Sequence, residues 1–307
     1  MASRRSFLAL AAVVSGGLVA GCSSDPAPAG TEIESLRIPT SVGTFDALAA
    51  GPTDGRKVLL LHGFPESATE WTHQLTALGQ LGYRAVAVDQ RGYSPDVRPT
   101  AVGEYAFDLL ADDVARIADA LDWPRFDLVG HDFGAAVSWI VAARYRDRVR
   151  TLSAFSVPHL GAFGRGLRED PEQQRASTYM AMLREPEQAE RRLLADDARM
   201  MREVYEGVPR AHVDEYVRRL SEPGALTAAL NWYRANDFQG YDQKIEVPTL
   251  YVWGSGDGAV AASTVRGTAE WVTGPYRFEE LPEVGHFAPE AQPDRTTALL
   301  HAHFQAN

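Results

Sequence analysis

A carboxylate lies at the centre of the pentapeptide Gly130-His131-Asp132-Phe133-Gly134. The pentapeptide follows an apolar run and precedes residues with helical spacing, so it predicts a tight strand-to-helix turn that the two glycines permit. Such a turn presents its middle side chain, here Asp132, above the sheet as a nucleophile. The start of a helix also favours a negative charge. Taken alone, the pattern fits equally an aspartate that only caps a helix.

Alternating strand-like and helical segments would position this turn. Helical spacing of apolar residues occurs in Tyr105–Leu121 and again from Phe133 to Tyr145. Short apolar runs predict buried strands at Val58–Leu61, Arg84–Val88, Phe126–Val129, Val149–Val157 and Thr249–Trp253. The alternation predicts an α/β fold with a mostly parallel sheet and helices on both faces.

The stretch from about Pro158 to about Glu246 has a different texture. It is rich in Arg, Glu and Ala, has helical patterning, and contains no convincing strand. A helical insertion between two strands of a parallel sheet predicts a lid over the carboxyl ends of the strands, where α/β ligand sites lie. We therefore expect a core formed by residues 34–157 and 247–307, with a helical lid formed by residues 158–246.

Composition excludes some functions. The chain has 307 residues and a formal net charge of −11. Nucleic-acid binding needs clustered Lys and Arg, so we expect no nucleic-acid partner. Cys22 is the single cysteine, and no intramolecular disulfide can form.

The N-terminus reads as a targeting segment. Residues 1–21 combine Arg4 and Arg5 with an apolar stretch too short to span a bilayer, which is typical of a removed export signal. Ser3–Leu8 resembles a twin-arginine signal, and Val19–Cys22 resembles a bacterial lipobox in which Cys22 is lipidated. Residues 22–33 would then be a tether, and the protein would be extracytoplasmic and lipid-anchored to the cell membrane. The alternative is a plain secretory signal with an incidental cysteine.

Three motifs occur in a family-specific order. His62–Ser67 follows the first core strand, Asp89–Ser94 follows the next, and the Gly130–Gly134 turn comes third. Together they resemble the α/β-hydrolase family, and more narrowly its branch of epoxide hydrolases and haloalkane dehalogenases, from about Ile38 to the C-terminus. The resemblance implies that Asp132 is the nucleophile, and that the backbone N–H groups of Phe64 and Phe133 form an oxyanion hole.

The resemblance also supplies the base and the acid. Leu281–Phe287 resembles the histidine loop of the family, which implies that His286 is the general base. Asp257 follows the penultimate predicted strand and takes the position of the orienting acid. Some members of this branch carry the acid after the strand that corresponds to Val149–Val157, but Ser153–His159 offers no carboxylate.

Three other histidines lie outside the motif positions that carry a catalytic role. His131, beside the nucleophile, is expected to be structural. His301 and His303 are expected on an exposed C-terminal helix, where a spacing of two residues places them on different faces.

An aspartate nucleophile favours displacement at an sp³ carbon, because its attack on an ester would give a reactive anhydride. An epoxide oxygen needs a proton donor as the ring opens, and tyrosine can supply one. Leu230–Arg234 resembles the segment that carries one lid tyrosine of soluble epoxide hydrolases, which implies Tyr233 as a donor and Trp232 as a substrate-binding residue. Ser177–Pro186 resembles the segment of the other, which implies Tyr179.

The sequence therefore predicts an epoxide hydrolase that acts on a small hydrophobic epoxide with water as co-substrate, without cofactor or metal. A dehalogenase on the same Asp-His-Asp scaffold is the first alternative. It is weakened because Phe133 replaces the tryptophan that binds halide in haloalkane dehalogenases and the arginine of fluoroacetate dehalogenases. A non-catalytic surface lipoprotein is the second.

Overall fold

The computed structural model describes residues 32–307. The predicted export signal, most of the predicted tether and Cys22 lie outside the described residues. No helix within residues 32–307 combines the length and apolar character needed to cross a membrane.

A single eight-stranded sheet organises the described part of the chain, with the strand order β1-β2-β4-β3-β5-β6-β7-β8. β1 and β2 pair with each other antiparallel, and β2 pairs antiparallel with β4, whereas all other pairs are parallel. The strands are β1 (Glu34–Thr40), β2 (Gly43–Ala50), β3 (Arg56–Leu61), β4 (Tyr83–Val88), β5 (Phe126–His131), β6 (Val149–Phe155), β7 (Thr249–Gly254) and β8 (Tyr276–Leu281). The predicted α/β class with a mostly parallel sheet is confirmed.

Helices cover both faces of the sheet. In the parallel part they are α1 (Thr72–Gln80), α2 (Phe107–Ala120), α3 (Phe133–Arg144), α10 (Ala262–Gly267), α11 (Ala288–Ala291) and α12 (Pro293–Ala306). Successive side chains of a strand point to opposite faces. In β3, Val58 and Leu60 join the buried cluster under α1 and α12, and Leu59 and Leu61 join the cluster under α2 and α3.

The C-terminal helix differs from the expectation. His303 is buried on α12 and only 5% exposed, so the expectation that it lies on an exposed helix is wrong. His303 is buried because this face of α12 packs on the sheet, where Leu300 and Phe304 also lie. The spacing of the two histidines alone does not show which face of the helix is covered.

Six helices lie between β6 and β7. They are α4 (Leu160–Glu169), α5 (Pro171–Ala176), α6 (Tyr179–Arg184), α7 (Gln188–Glu203), α8 (Arg210–Leu220) and α9 (Ala225–Ala235). We call them the inserted helices. α7 is interrupted at Ala195–Ala198, where the backbone leaves helical geometry and three consecutive residues have a positive φ. The axis of the second half of α7 therefore need not continue that of the first half.

Candidate active site

Asp132 lies in the tight turn between β5 and α3. Its backbone has φ 49° and ψ −119°, a conformation that non-glycine residues seldom adopt and that is often found at functional sites. The flanking glycines are needed for close approach. A Cβ atom on Gly134 would lie 2.2 Å from the backbone oxygen of Leu61, and one on Gly130 would lie 2.3 Å from that of Gly134. The turn thus raises the carboxylate of Asp132 above the carboxyl ends of the central strands.

The loop after β3 approaches Asp132 from the other side. The backbone N–H of Phe64 donates to Asp132 Oδ1 at 2.9 Å. A Cβ on Gly63 would lie 2.5 Å from that of Asp132, so the loop packs directly on the nucleophile turn. Phe133 is the first residue of α3, where backbone N–H groups have no carbonyl partner within the helix. The Phe64 N–H thus reaches the Asp132 carboxylate, and the N–H of Phe133, the next residue in the chain, is free of a partner within the helix.

His286 lies between two carboxylates. Its Nε2 is 3.4 Å from Asp132 Oδ2, and its Nδ1 is 3.0 Å from Asp257 Oδ2. Burial disfavours a charged imidazole, but Asp257 and Asp132 outweigh it and raise the pKa of His286 well above its usual range. Burial also opposes the charge of Asp132, yet His286, with the Phe64 N–H, holds the pKa of Asp132 below its usual value. The unreacted site is therefore an ion-paired Asp–His–Asp chain.

Ser156 is a site residue that the sequence reading missed. It follows β6 with φ 67°, and its Oγ donates to Asp257 Oδ2 at 2.6 Å while lying 3.0 Å from His286 Nδ1. This is the position at which some relatives were expected to carry the acid. The serine hydroxyl instead orients the carboxylate of Asp257, which also accepts from the backbone N–H of Ala259 at 2.9 Å. The only available sequence signal was its place directly after a buried strand.

A cavity of about 390 Å³ opens above Asp132. Its walls include the three members of the Asp–His–Asp chain, the ring of Phe64, and the two predicted tyrosines, Tyr179 on α6 and Tyr233 on α9. Burial raises the pKa of both tyrosines above the usual value, so both phenols keep their protons at neutral pH. Size and apolar lining suit a small organic ligand.

Trp232 does not line this cavity, and its predicted contact with substrate is wrong. Its side chain is fully buried, and its indole N–H donates to the backbone oxygen of Arg91 at 2.9 Å. The ring packs against Phe133 with centroids 5.3 Å apart. On a helix, adjacent residues point in different directions, so Tyr233 faces the cavity while Trp232 anchors α9 to the core.

Comparison with known proteins shows which family the chain belongs to. The model of the alpha/beta hydrolase fold matches residues 57–293, which is most of the chain. The chain belongs to the alpha/beta hydrolase family. Epoxide hydrolase 3 of Xenopus tropicalis is 31% identical to this hydrolase over 278 residues, which cover 86% of this chain and 76% of that relative. Epoxide hydrolase A of Mycobacterium tuberculosis is 31% identical over 298 residues, covering 82% and 91%.

Solved structures agree with this assignment. An epoxide hydrolase from metagenomes of hot environments matches the hydrolase with a TM-score of 0.80 at 30% identity, covering 88% of this chain and 98% of that one. Epoxide hydrolase A from Mycobacterium thermoresistibile matches with a TM-score of 0.78 at 26% identity, covering 89% and 98%.

Behind the Asp–His–Asp chain, this hydrolase buries a second charged cluster around His131. Burial opposes a charge there, but Glu66 and Glu70 raise the pKa of His131 well above its usual range. The imidazolium therefore donates from Nδ1 to Glu66 at 3.0 Å and from Nε2 to the backbone oxygen of His286 at 2.9 Å, while Glu70 Oε1 lies at ion-pair distance, 2.9 Å, from Nδ1. His131 thereby holds the backbone of His286 in place.

Glu66, Glu70 and His131 are also the residues in the described chain whose ligand atoms all lie within 4.8 Å of one another. Carboxylate oxygens and imidazole are ligands for zinc and other divalent ions. A cation at this position would have to displace the Nδ1 proton that His131 donates to Glu66.

The inserted helices are attached to the histidine loop through Glu290 on α11. Glu290 Oε1 lies 2.6 Å from His212 Nδ1 and accepts from the Tyr216 hydroxyl at 3.0 Å, and both partners are on α8. Burial raises the pKa of Glu290 to about 7. The hydroxyl of Tyr205 donates to the backbone oxygen of Pro65 at 2.8 Å, beside the Phe64 loop. These bonds hold the inserted helices over the site.

Proposed function

We propose that this hydrolase opens an organic epoxide to a vicinal diol through a covalent ester on Asp132. The observation that carries the proposal is the pairing of an ionised nucleophile-turn aspartate with two protonated tyrosines across one apolar cavity. A serine at that position would be suited to esters, whereas a carboxylate is suited to an sp³ carbon. The epoxide hydrolases among the relatives support the same substrate class.

In the first step, a carboxylate oxygen of Asp132 attacks one ring carbon, and the bond from that carbon to the epoxide oxygen breaks. The released oxygen takes a proton from Tyr179 or Tyr233, which leaves a hydroxyalkyl ester and a tyrosinate. Because both phenols are neutral and the Asp132 carboxylate is charged, the enzyme needs no prior proton transfer.

Ester formation then changes the charge on His286. The free site holds His286 as a cation between Asp132 and Asp257, and the ester removes the negative charge of Asp132. The imidazole loses one of its two stabilising carboxylates, so its pKa falls and it can release its proton. That proton restores the phenol that the first step left as a tyrosinate. The neutral imidazole becomes a general base only when there is an ester to hydrolyse.

In the second step, His286 takes a proton from water, and the resulting hydroxide adds to the carboxyl carbon of the Asp132 ester. The N–H groups of Phe64 and Phe133 bind the oxyanion that forms. Collapse of this intermediate breaks the bond to the diol oxygen, which takes the proton of the added hydroxyl group, and restores the Asp132 carboxylate beside a protonated His286. The sum is one epoxide and one water converted to one diol.

Replacing both Tyr179 and Tyr233 by Phe is expected to lower kcat/KM for epoxides by about 10²- to 10⁴-fold, the usual range for a general acid. The measurement is diol release from a panel of epoxides, with halide release from haloalkanes of similar size assayed in parallel. Tyr276→Phe is a matched control, because Tyr276 lies on β8 and lines no part of the cavity. Its activity should equal that of the wild type.

The same panel separates the alternatives. Halide release that survives loss of both tyrosines, with no diol formed by the wild type, would identify a dehalogenase, because a halide leaves without a proton. An absence of turnover on every substrate would favour a binding protein. Diol formation that is insensitive to the two tyrosines would contradict their role as proton donors.

We also propose that the mature protein acts outside the cytoplasm, anchored through lipid on Cys22. The proposal rests on the charge and apolar pattern of residues 1–22 alone. In a bacterial host, the wild type is expected in the membrane fraction with a lipid-modified N-terminus, measurable by mass spectrometry. Cys22→Ser should be released from that fraction. A soluble, unmodified wild type would contradict the proposal.

A further inference from the structure

We infer that the preferred substrates are terminal epoxides, which carry their apolar substituent on one ring carbon and only hydrogens on the other. This inference rests on the proposed function and narrows its substrate class. It follows from a difference between the two spaces that adjoin Asp132.

Three catalytic residues divide the site in two. Asp132, Tyr179 and Tyr233 line the cavity of about 390 Å³, and the same three residues line a second space that holds only about 10 Å³. The two spaces share no other lining residue. An epoxide held between the nucleophile and the tyrosines therefore has one side toward the cavity and the other toward the small space.

Aromatic side chains pack around the space of about 10 Å³, which we call the small side. Phe163 and Phe238 are each 4% exposed, and their ring centroids are 5.2 Å apart. Phe238 also contacts Phe133 at 5.7 Å and Phe107 at 5.3 Å. Met180 on α6 closes the remaining gap. A space of about 10 Å³ has room for no more than a water-sized group, so hydrogens on that ring carbon fit and an alkyl chain does not.

The cavity of about 390 Å³, the large side, has room for a substituent. Apart from the catalytic groups, its lining is apolar, and it includes Met182, Met200 and Met201, whose unbranched side chains adapt to different shapes. Met200 is 42% exposed and Val204 is 49% exposed, which places the cavity mouth at the second half of α7. An uncharged hydrocarbon or aryl substituent can extend from the ring toward this mouth.

Two isomers test the inference without changing composition. Both 1,2-epoxyoctane and trans-4,5-epoxyoctane have the same formula, but only the second places alkyl groups on both ring carbons. The wild type is expected to give a kcat/KM at least about 10-fold higher for the terminal isomer, because a hydrophobic pocket that must reject extra methylenes discriminates on this scale. Equal or faster turnover of the internal isomer overturns the inference and leaves the proposed function intact. No diol from either isomer overturns both.

Met180 and Met182 provide a matched pair of variants. They lie two residues apart on α6, but Met180 lines only the small side and Met182 only the large cavity. Met180→Ala is expected to lower the ratio of kcat/KM for the terminal isomer to kcat/KM for the internal isomer at least about 3-fold, because it enlarges the small side. Met182→Ala removes the same atoms and should not narrow the ratio.

Phe163→Val gives a second, independent enlargement of the small side in case Met180→Ala does not fold, and thermal unfolding of each variant checks this. A lower terminal-to-internal ratio of kcat/KM in either small-side variant, with an unchanged ratio in Met182→Ala, supports the inference. An unchanged kcat/KM ratio in every small-side variant that folds, or equal narrowing of the ratio in Met182→Ala, overturns it.

Discussion

Asp132→Asn is expected to lower epoxide turnover by at least about 10⁴-fold, the scale seen when a covalent nucleophile is removed. An amide has the shape of the carboxylate but lacks the charge and nucleophilicity needed to open the ring. Asparagine also tolerates the positive φ of 49° at this position, so the turn should keep its geometry. The measurement is kcat/KM for diol formation, combined with thermal unfolding to show that the variant is folded.

A matched control exists at Asp122, which has a φ of 55° in the turn after α2. Asp122→Asn makes the same chemical change at another residue of positive φ, and Asp122 does not line the cavity. It should retain wild-type activity. Substantial diol formation by Asp132→Asn, with Asp122→Asn also active, would show that the nucleophile lies elsewhere.

The Asp–His–Asp chain could be predicted because its motifs resemble those of the α/β-hydrolase family, in which each member follows a strand of a parallel sheet. Asp132 directly follows β5, and Asp257 and His286 lie in the loops after β7 and β8. The carboxyl ends of parallel strands meet at one edge, so residues more than 100 positions apart in sequence converge without further information. The resemblance of the motifs, together with this convergence of strand ends, was therefore enough to predict that these three side chains meet.

Residues that depend on side-chain direction could not be predicted. The Leu230–Arg234 segment gave Trp232 and Tyr233 together, but only the rotation of α9 decides which ring faces the cavity. Ser156 has no motif of its own, and its role arises from its contact with Asp257, 101 residues away. Likewise, the antiparallel strands β1 and β2 were not identified, because their buried residues alternate with more exposed ones and they lack the continuous apolar run of a buried parallel strand.

The carboxylates of Glu66 and Glu70 illustrate the same limit. Both are about 1% exposed, although glutamate is seldom fully buried without a partner. Their partner, His131, comes from a different motif, and its other ring nitrogen reaches the backbone of His286. Fold, charge balance and catalytic geometry are thus joined in one network that extends from the Phe64 loop to the histidine loop.

His286→Gln is expected to separate the two chemical steps. Ring opening needs the Asp132 carboxylate and a tyrosine proton, and neither is removed. Hydrolysis needs a base, and glutamine cannot take a proton from water, so that step should slow by about 10²- to 10⁴-fold. Excess epoxide should therefore give a single burst of ester formation. Intact-mass spectrometry should find a species heavier than the protein by the full mass of the substrate, because the epoxide adds without losing atoms.

The double variant Asp132→Asn with His286→Gln locates this adduct. If the ester forms on Asp132, the double variant should show no added mass, and peptide mapping of the single variant should place the adduct on the peptide that contains the Gly130–Gly134 turn. An adduct that persists in the double variant would mean that epoxide reacts with another side chain. Rapid turnover by His286→Gln without any adduct would contradict a histidine-dependent ester, because the only basic side chain within reach of Asp132 in the catalytic chain would be gone.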